Sequence, residues 1–157
     1  MSYLDEGSDV CSINFDLQKA FDSVAHSLLL HKLTDINLDP YIVQWIGSYL
    51  SCRSQHVVVD GECSPVFPVL SGVPQGSILG PLLFLIFIDD VVTQVSPDSQ
   101  LSLFADDMAL YRPIRTTTEY SVLQHDVSSI ALWIKTWSMS LQPNKCSAMV
   151  ISHRKSF

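Results

Sequence analysis

Leu101-Ser102-Leu103-Phe104-Ala105-Asp106-Asp107-Met108-Ala109-Leu110 sets two adjacent carboxylates between two apolar runs. Apolar segments flanking a short polar pair read as a β-hairpin with the acids at its tip. Neighbouring carboxylates each raise the cost of ionising the other. A divalent cation removes that penalty, because hard cations such as Mg²⁺ take oxygen ligands, commonly one or two carboxylates plus substrate phosphates. Aspartate is also a common turn former, so two solvated turn residues are the plainer reading of the pair taken alone.

Two further stretches change that balance. In Ile13-Asn14-Phe15-Asp16-Leu17-Gln18-Lys19-Ala20-Phe21-Asp22, the run Val10–Phe15 reads as a short buried strand ending in a carboxylate. Leu70-Ser71-Gly72-Val73-Pro74-Gln75-Gly76-Ser77-Ile78-Leu79-Gly80-Pro81 is a Gly/Pro-rich loop opening onto a very apolar helix. In this order, the three segments resemble motifs A, B and C of reverse transcriptases, in particular those of the LINE-type, jockey-like branch of non-LTR retrotransposons. The phrases DLQKAFDSVAHSLLLHKL, SGVPQGSILGPLLFLIFIDD and FADDMALY carry the resemblance, which extends from about Val10 to Ser152. It implies an α+β polymerase palm: an antiparallel sheet of ferredoxin-like type with helices packed on one face.

At 157 residues the chain is long enough for one domain with a real core, and 47% hydrophobic residues exclude a disordered polymer. Residues 10–157 are read as that domain, after an acidic polar extension over 1–9. The apolar run Leu82–Ile88 is too short to span a bilayer. The N-terminus lacks the basic start and apolar stretch of a secretory signal. Cys11, Cys52, Cys63 and Cys146 form no Cys-x-x-Cys pair, so neither a zinc site nor a disulfide framework is expected. A reduced intracellular setting is the expectation, compatible with nucleus or cytoplasm. Nine Lys and Arg against sixteen Asp and Glu give a net charge of −7, although nucleic-acid binders usually carry a basic patch. The expectation is a palm whose phosphate-gripping fingers and thumb lie elsewhere, in a longer polyprotein with an endonuclease.

Periodicity and turn signals place a strand at about 10–15 and a helix around Ala25–Thr34. A second helix runs from Pro40 to about Ser51, with Ile42, Trp45, Ile46, Tyr49 and Leu50 at helical spacing. Gln55–Val59 and Val66–Leu70 read as paired strands with Asp60-Gly61 as the turn signal. A long apolar helix is expected from Ser77 to about Val95, then the hairpin over 101–113, closed by Pro113. Thr116-Thr117-Thr118-Glu119 reads as a helix start with a hydroxyl N-cap. The helix that follows presents Leu123, Val127, Ile130, Ile134 and Trp137 on one face, and a last strand spans about Ser147–Ile151.

Phosphoryl transfer rests on positioning and charge neutralisation, and two metal ions can stabilise both the attacking and the leaving oxygen. The resemblance implies that Asp16 and Asp106 hold two Mg²⁺ ions, for which Mn²⁺ can substitute, with the Leu17 carbonyl as a further ligand. It places Asp107 at the third acidic position, nearer the primer-end ion. Phe21 corresponds to the aromatic residue beneath the incoming sugar, where a 2′-hydroxyl would clash, so that deoxynucleotides are preferred. Gln75 falls beside the template base and incoming nucleotide, with Gly76 leaving room. Lys145, in Leu141-Gln142-Pro143-Asn144-Lys145, resembles the motif D lysine that serves the leaving pyrophosphate, though a solvated surface lysine reads equally well.

Lys19 is assigned a structural role and Asp22 a helix cap; His26 and His31 carry no assigned chemistry, and Asp89-Asp90 read as solvated acids. Arg112, Arg115, Arg154 and Lys155 are weak candidates for phosphate contacts. The implied activity is RNA-directed DNA polymerisation on an RNA template and a DNA primer with deoxynucleoside triphosphates, and no membrane partner. The competing expectation is a truncated, inactive retroelement remnant.

Overall fold

The computed structural model describes residues 8–152. Strand β1 (Asp9–Asp16) leads into helices α1 (Ala20–Ser23), α2 (His26–Asp35) and α3 (Pro40–Leu50). Four two-residue strands follow: β2 (Ser54–Gln55), β3 (Val58–Val59), β4 (Glu62–Cys63) and β5 (Phe67–Pro68). Helix α4 (Leu79–Ile88) gives way to a 3-10 turn at Asp89–Gln94, and then come β6 (Gln100–Phe104) and β7 (Asp107–Ile114). Helix α5 (Glu119–Thr136) and β8 (Ser147–Ile151) complete the order. The backbone divides into two compact units, one made of the residues up to Gln18 with those from Asp89 onward, the other of Lys19–Ile88.

In the first unit the strands form one four-stranded sheet in the order β6-β7-β1-β8, antiparallel throughout. With the first and third strands of the set at the centre, this is the ferredoxin-like arrangement expected of the α+β class. Along β7 the period-two pattern buries Met108, Leu110, Arg112 and Ile114. Pro113 lies inside this strand instead of closing the hairpin. It pairs with Val10, two positions beyond Tyr111, where the β6 partners begin. Strand β8 has the predicted bounds, but all five of its residues are exposed.

Helix α5 packs against β7 and the 3-10 turn, burying Leu123, Ile130, Trp133 and Ile134, while Val127 and Trp137 are only half-buried. Its start differs from the expected hydroxyl cap. Thr118 makes no capping bond, and the Glu119 carboxylate reaches back to accept from the backbone N–H groups of Arg115 and Thr116. The Arg115 N–H, then that of Thr116 and the charges of Arg112 and Arg115, hold the Glu119 carboxyl below its usual range.

Two charged residues of this unit are buried where the sequence reading had them solvated or did not single them out. Asp126 of α5 is fully buried; its Oδ1 accepts from the Ser96 N–H and hydroxyl, and its Oδ2 from the Ser99 hydroxyl. Arg112, expected on the surface near phosphates, is 6% exposed and donates to Ser99 Oγ and the Pro97 carbonyl. Arg154 and Lys155 lie outside the described residues. Asp89 is exposed, whereas Asp90 accepts from the indole N–H of Trp133.

In the second unit α2 packs on α3 and α4. Helix α3 begins as predicted, with the Asp39 carboxylate accepting from the Tyr41 N–H and Pro40 at the first position. Lys32 of α2 is buried and donates to the Phe87 carbonyl in the last turn of α4, satisfying one of the acceptors a helix end leaves open. The apolar helix stops at Ile88, because Asp89-Asp90 open the tighter 3-10 turn. The segment 54–68 forms two nested ladders rather than one: β2 pairs with β5, and β3 with β4 across Asp60-Gly61. Both turn residues have positive φ (51° and 88°), which suits a type I′ hairpin of two residues.

Gly72 is a position where this unit tolerates no side chain. Its φ is +91°, and a Cβ there would lie 2.8 Å from the Asp22 Cα and 2.9 Å from the Asp22 carbonyl oxygen. The glycine therefore allows the 70–77 loop to lie against the turn after β1. Gly76 also has positive φ, +76°, but meets nothing within 4 Å. Gly72→Ala is expected to cost about 3 kcal/mol, from strained φ and backbone overlap together. Gly76→Ala should cost only about 1 kcal/mol. Urea unfolding of the two variants measures the difference; equal losses would show that the close approach at Gly72 is unimportant.

Candidate active site

Strand β1 places Asp16 at its C-terminal end, directly opposite Asp107, the first residue of β7. Directly paired residues of an antiparallel ladder share a face, with Cβ atoms about 4.5–5.5 Å apart, and like charges so placed repel. The connection from β6 is a two-residue turn, Ala105-Asp106, closed by the pair Phe104↔Asp107. Asp106 thus sits at the hairpin tip, as the sequence indicated. Ala105 carries a positive φ of 52° at the first turn position, where glycine is the usual residue of a II′-type hairpin. The turn stores strain next to the acids.

The chain past Asp16 is fixed from the other side. The Gln142 N–H donates to the Asp16 carbonyl and the Gln18 N–H to the Ser140 carbonyl, both at 2.8 Å, around an isolated bridge between Leu17 and Leu141. In this pattern Leu17 is the residue that makes no bond to its opposite number, so its carbonyl points away from the 140–142 segment. The same segment brings in Lys145, whose Nζ lies 3.8 Å from Asp16 Oδ2. The Cys146 thiol accepts from the Asp16 N–H at 3.5 Å. Of the other cysteines, Cys11 is buried, and burial pushes its thiol up, while Cys52 and Cys63 are exposed; all four are free.

Asp16, Leu17, Asp106, Asp107 and Lys145 therefore belong to one unit. Among the described residues, no three His, Cys, Asp or Glu side chains are gathered into a ready-made metal site. The donor set nonetheless suits a hard divalent cation: facing carboxylates, a carbonyl directed away from its neighbouring segment, and a like-charge pair that Lys145 only partly offsets. Mg²⁺ in particular is commonly held by one or two carboxylates with the remaining ligands from water and substrate phosphate.

Phe21, Gln75 and Gly76 belong to the other unit. Phe21 of α1 is half-buried and stacks on Phe84 of α4, with ring centroids 4.4 Å apart and planes inclined by 22°. The 70–77 loop is stitched to the residues around Phe21. Gly72 N–H donates to the Val24 carbonyl, Val73 N–H to the Phe21 carbonyl, and His26 Nε2 bonds the Gly72 carbonyl at 2.8 Å. Asp22 lies within α1 and caps no helix; its Oδ1 accepts from Gln75 Nε2 at 2.8 Å. The loop and the turn border a cavity of about 780 Å³ lined by Lys19, Asp22, Arg53, Gln55, Ser71 and Gln75, among others. The sequence reading gave His26 and Asp22 no part in this loop, since their partners lie about fifty positions away.

The family model described as "Reverse transcriptase (RNA-dependent DNA polymerase)" matches residues 2–157. The chain belongs to the reverse transcriptase family. It is 34% identical over 146 residues to the RNA-directed DNA polymerase from mobile element jockey of Drosophila melanogaster, covering 88% of this chain and 16% of that protein. A probable RNA-directed DNA polymerase from transposon BS of the same species is 33% identical over 148 residues, covering 89% of this chain and 16% of the relative. The reverse transcriptase chain thus spans about one-sixth of the length of these non-LTR relatives. Among solved structures, apo telomerase from Candida tropicalis, truncated from the C-terminal domain, superposes with a TM-score of 0.69 at 15% identity, covering 94% of this chain and 32% of that one. That likeness supports the palm-like fold.

Proposed function

We propose that residues 10–157 are the palm of an RNA-directed DNA polymerase, which adds deoxynucleotides to a primer 3′-hydroxyl by two-metal nucleotidyl transfer. The observation that carries this reading is the pairing of Asp16 with Asp107, beside Asp106 at the hairpin tip, in a chain of this family. Asp16 and Asp106 hold two Mg²⁺ ions, or Mn²⁺ in their place, with the Leu17 carbonyl as a further ligand and Asp107 nearer the primer end. When bound, the ions supply charge neutralisation at the attacking and leaving oxygens.

The chain's own residues do the positioning. Phe21, held by its stack on Phe84, disfavours a 2′-hydroxyl. Gln75 and Gly76 border the incoming nucleotide. Lys145, which offsets part of the Asp16 charge, neutralises charge developing on the pyrophosphate. The substrates are an RNA template, a DNA primer and deoxynucleoside triphosphates. The fraction of its relatives that the chain covers supports an origin in a longer polyprotein; fingers, thumb and endonuclease elsewhere in it belong to the same reading. An intracellular site of action, nuclear or cytoplasmic, belongs to the same reading.

The test is primer extension on a primed RNA template with Mg²⁺, beside an Asp106→Ala control. Incorporation that the control abolishes is the expected result. No incorporation by a chain with a cooperative unfolding transition would favour a folded but inactive remnant.

A further inference from the structure

We infer that Asp22 is a positioning residue that fixes the Gln75 amide so that its carbonyl oxygen, not its NH₂, is presented to the nucleotide. The inference rests on the polymerase reading and adds to it the chemical sense of the contact that Gln75 makes. An ionised carboxylate only accepts hydrogen bonds, whereas a glutamine amide has a donating end and an accepting end. The 2.8 Å bond from Gln75 Nε2 to Asp22 Oδ1 therefore decides which end is used inward. Among the described residues Gln75 Oε1 takes no hydrogen bond. It is left as the outward group of a side chain that lines the 780 Å³ cavity.

Asp22 is placed to hold this orientation. Its N–H donates to the Lys19 carbonyl at 2.9 Å, and its carbonyl accepts from the Ser71 hydroxyl at 2.8 Å. Its Cα abuts Gly72, where even a methyl group would overlap. The carboxylate thus projects from a backbone pinned to the very loop that carries Gln75. Both side chains are exposed, so the bond biases the amide rather than locking it. A side chain biased toward its bound orientation loses less freedom on binding a ligand, and the gain appears as affinity. An outward carbonyl oxygen selects a hydrogen-bond donor, such as an exocyclic amine of a base or a sugar hydroxyl. The nearby Asp22 charge disfavours a phosphate oxygen at this point.

A double-mutant cycle on nucleotide affinity tests this. The full chain is bound to an RNA template with a dideoxy-terminated DNA primer and Mg²⁺, and titrated with complementary or mismatched deoxynucleoside triphosphate by fluorescence. Asp22→Ala and Gln75→Ala should each weaken complementary binding roughly fivefold, the scale of one hydrogen bond. The double variant should be no weaker than Gln75→Ala alone, because residues acting as one unit are not additive. Asp22→Asn, which keeps an acceptor oxygen, should retain most of the affinity. If Asp22→Ala shows no unfolding transition, Asp22→Ser takes its place.

Wild-type affinity in Asp22→Ala, or losses that multiply in the double variant, would overturn the inference while leaving the polymerase reading intact. A wild-type chain that does not prefer the complementary nucleotide would overturn the polymerase reading, and this inference with it.

Discussion

Asp16→Asn is expected to lower Mg²⁺-dependent nucleotide incorporation at least about a thousandfold, since a metal clamp contributes several kcal/mol to the transition state. Folding stability should not follow activity. Without divalent cations, Asp16 faces Asp107 across the β1–β7 ladder, and the repulsion costs on the order of 0.5 kcal/mol. Removing the charge at Asp16 relieves this but also ends its ion pair with Lys145 at 3.8 Å, a pair whose lysine is largely exposed and which contributes a similar small amount. The two cancel, and the metal-free melting temperature of Asp16→Asn should lie close to that of the wild type.

Asp107→Asn separates the terms, because it relieves the repulsion and leaves Asp16–Lys145 in place. Its metal-free melting temperature should rise by about 1–2 °C for a chain of this size. Adding Mg²⁺ should stabilise the wild type more than either variant, by linkage of binding to folding. Calorimetry with and without Mg²⁺ reads all three chains. A metal-free Asp107→Asn that melts below the wild type would show that the two acids do not oppose one another in the fold.

The elements legible in the sequence are those whose signal is local. Pro40 announces α3 as a first-turn proline, and Asp106 at a tip between apolar runs announces the β6–β7 hairpin. The errors arise where a partner distant in sequence decides. The run Leu79–Ile88 is apolar on all sides, so periodicity could not show where the helix ends and Asp89-Asp90 tighten the backbone into a 3-10 turn. Asp60-Gly61 marks a turn but not which residues pair across it, and the observed ladders split what reads as one hairpin.

Buried charge was the least legible feature, although a trace of it was present. Arg112 shares strand parity with Met108 and Leu110, and Asp126 stands three residues after Leu123 and four before Ile130. Charged residues in apolar registers are candidates for internal pairing. For the candidate site, the positions of the acids were legible because a strand end and a hairpin tip are local signals. The link between Gln75 and Asp22 was not, because it exists only after the loop and the turn have met.

Asp126→Ala is expected to destabilise the fold by about 4 kcal/mol. The carboxylate is fully buried and takes three hydrogen bonds, from the Ser96 N–H, the Ser96 hydroxyl and the Ser99 hydroxyl. The Ser99 oxygen in turn accepts from Arg112 Nη1 at 2.9 Å, so one hydroxyl relays between a buried anion and a buried cation. Alanine would leave Ser96 and Ser99 without their acceptor. It would also strand the Arg112 charge, whose Nε already has no hydrogen-bond partner among the described residues. A buried charge that loses its compensation costs more than the pair contributes, so the remedy is to remove both charges. Asp126→Leu combined with Arg112→Met should therefore recover at least half of the stability lost by Asp126→Ala. Because α5, β7 and the loop between the 3-10 turn and β6 meet at this network, its loss should also weaken the sheet that carries Asp16 and Asp107. Urea unfolding of the single and double variants decides the matter: a loss below about 1 kcal/mol for Asp126→Ala, or a double variant less stable than the single one, would show that the network does not join these elements.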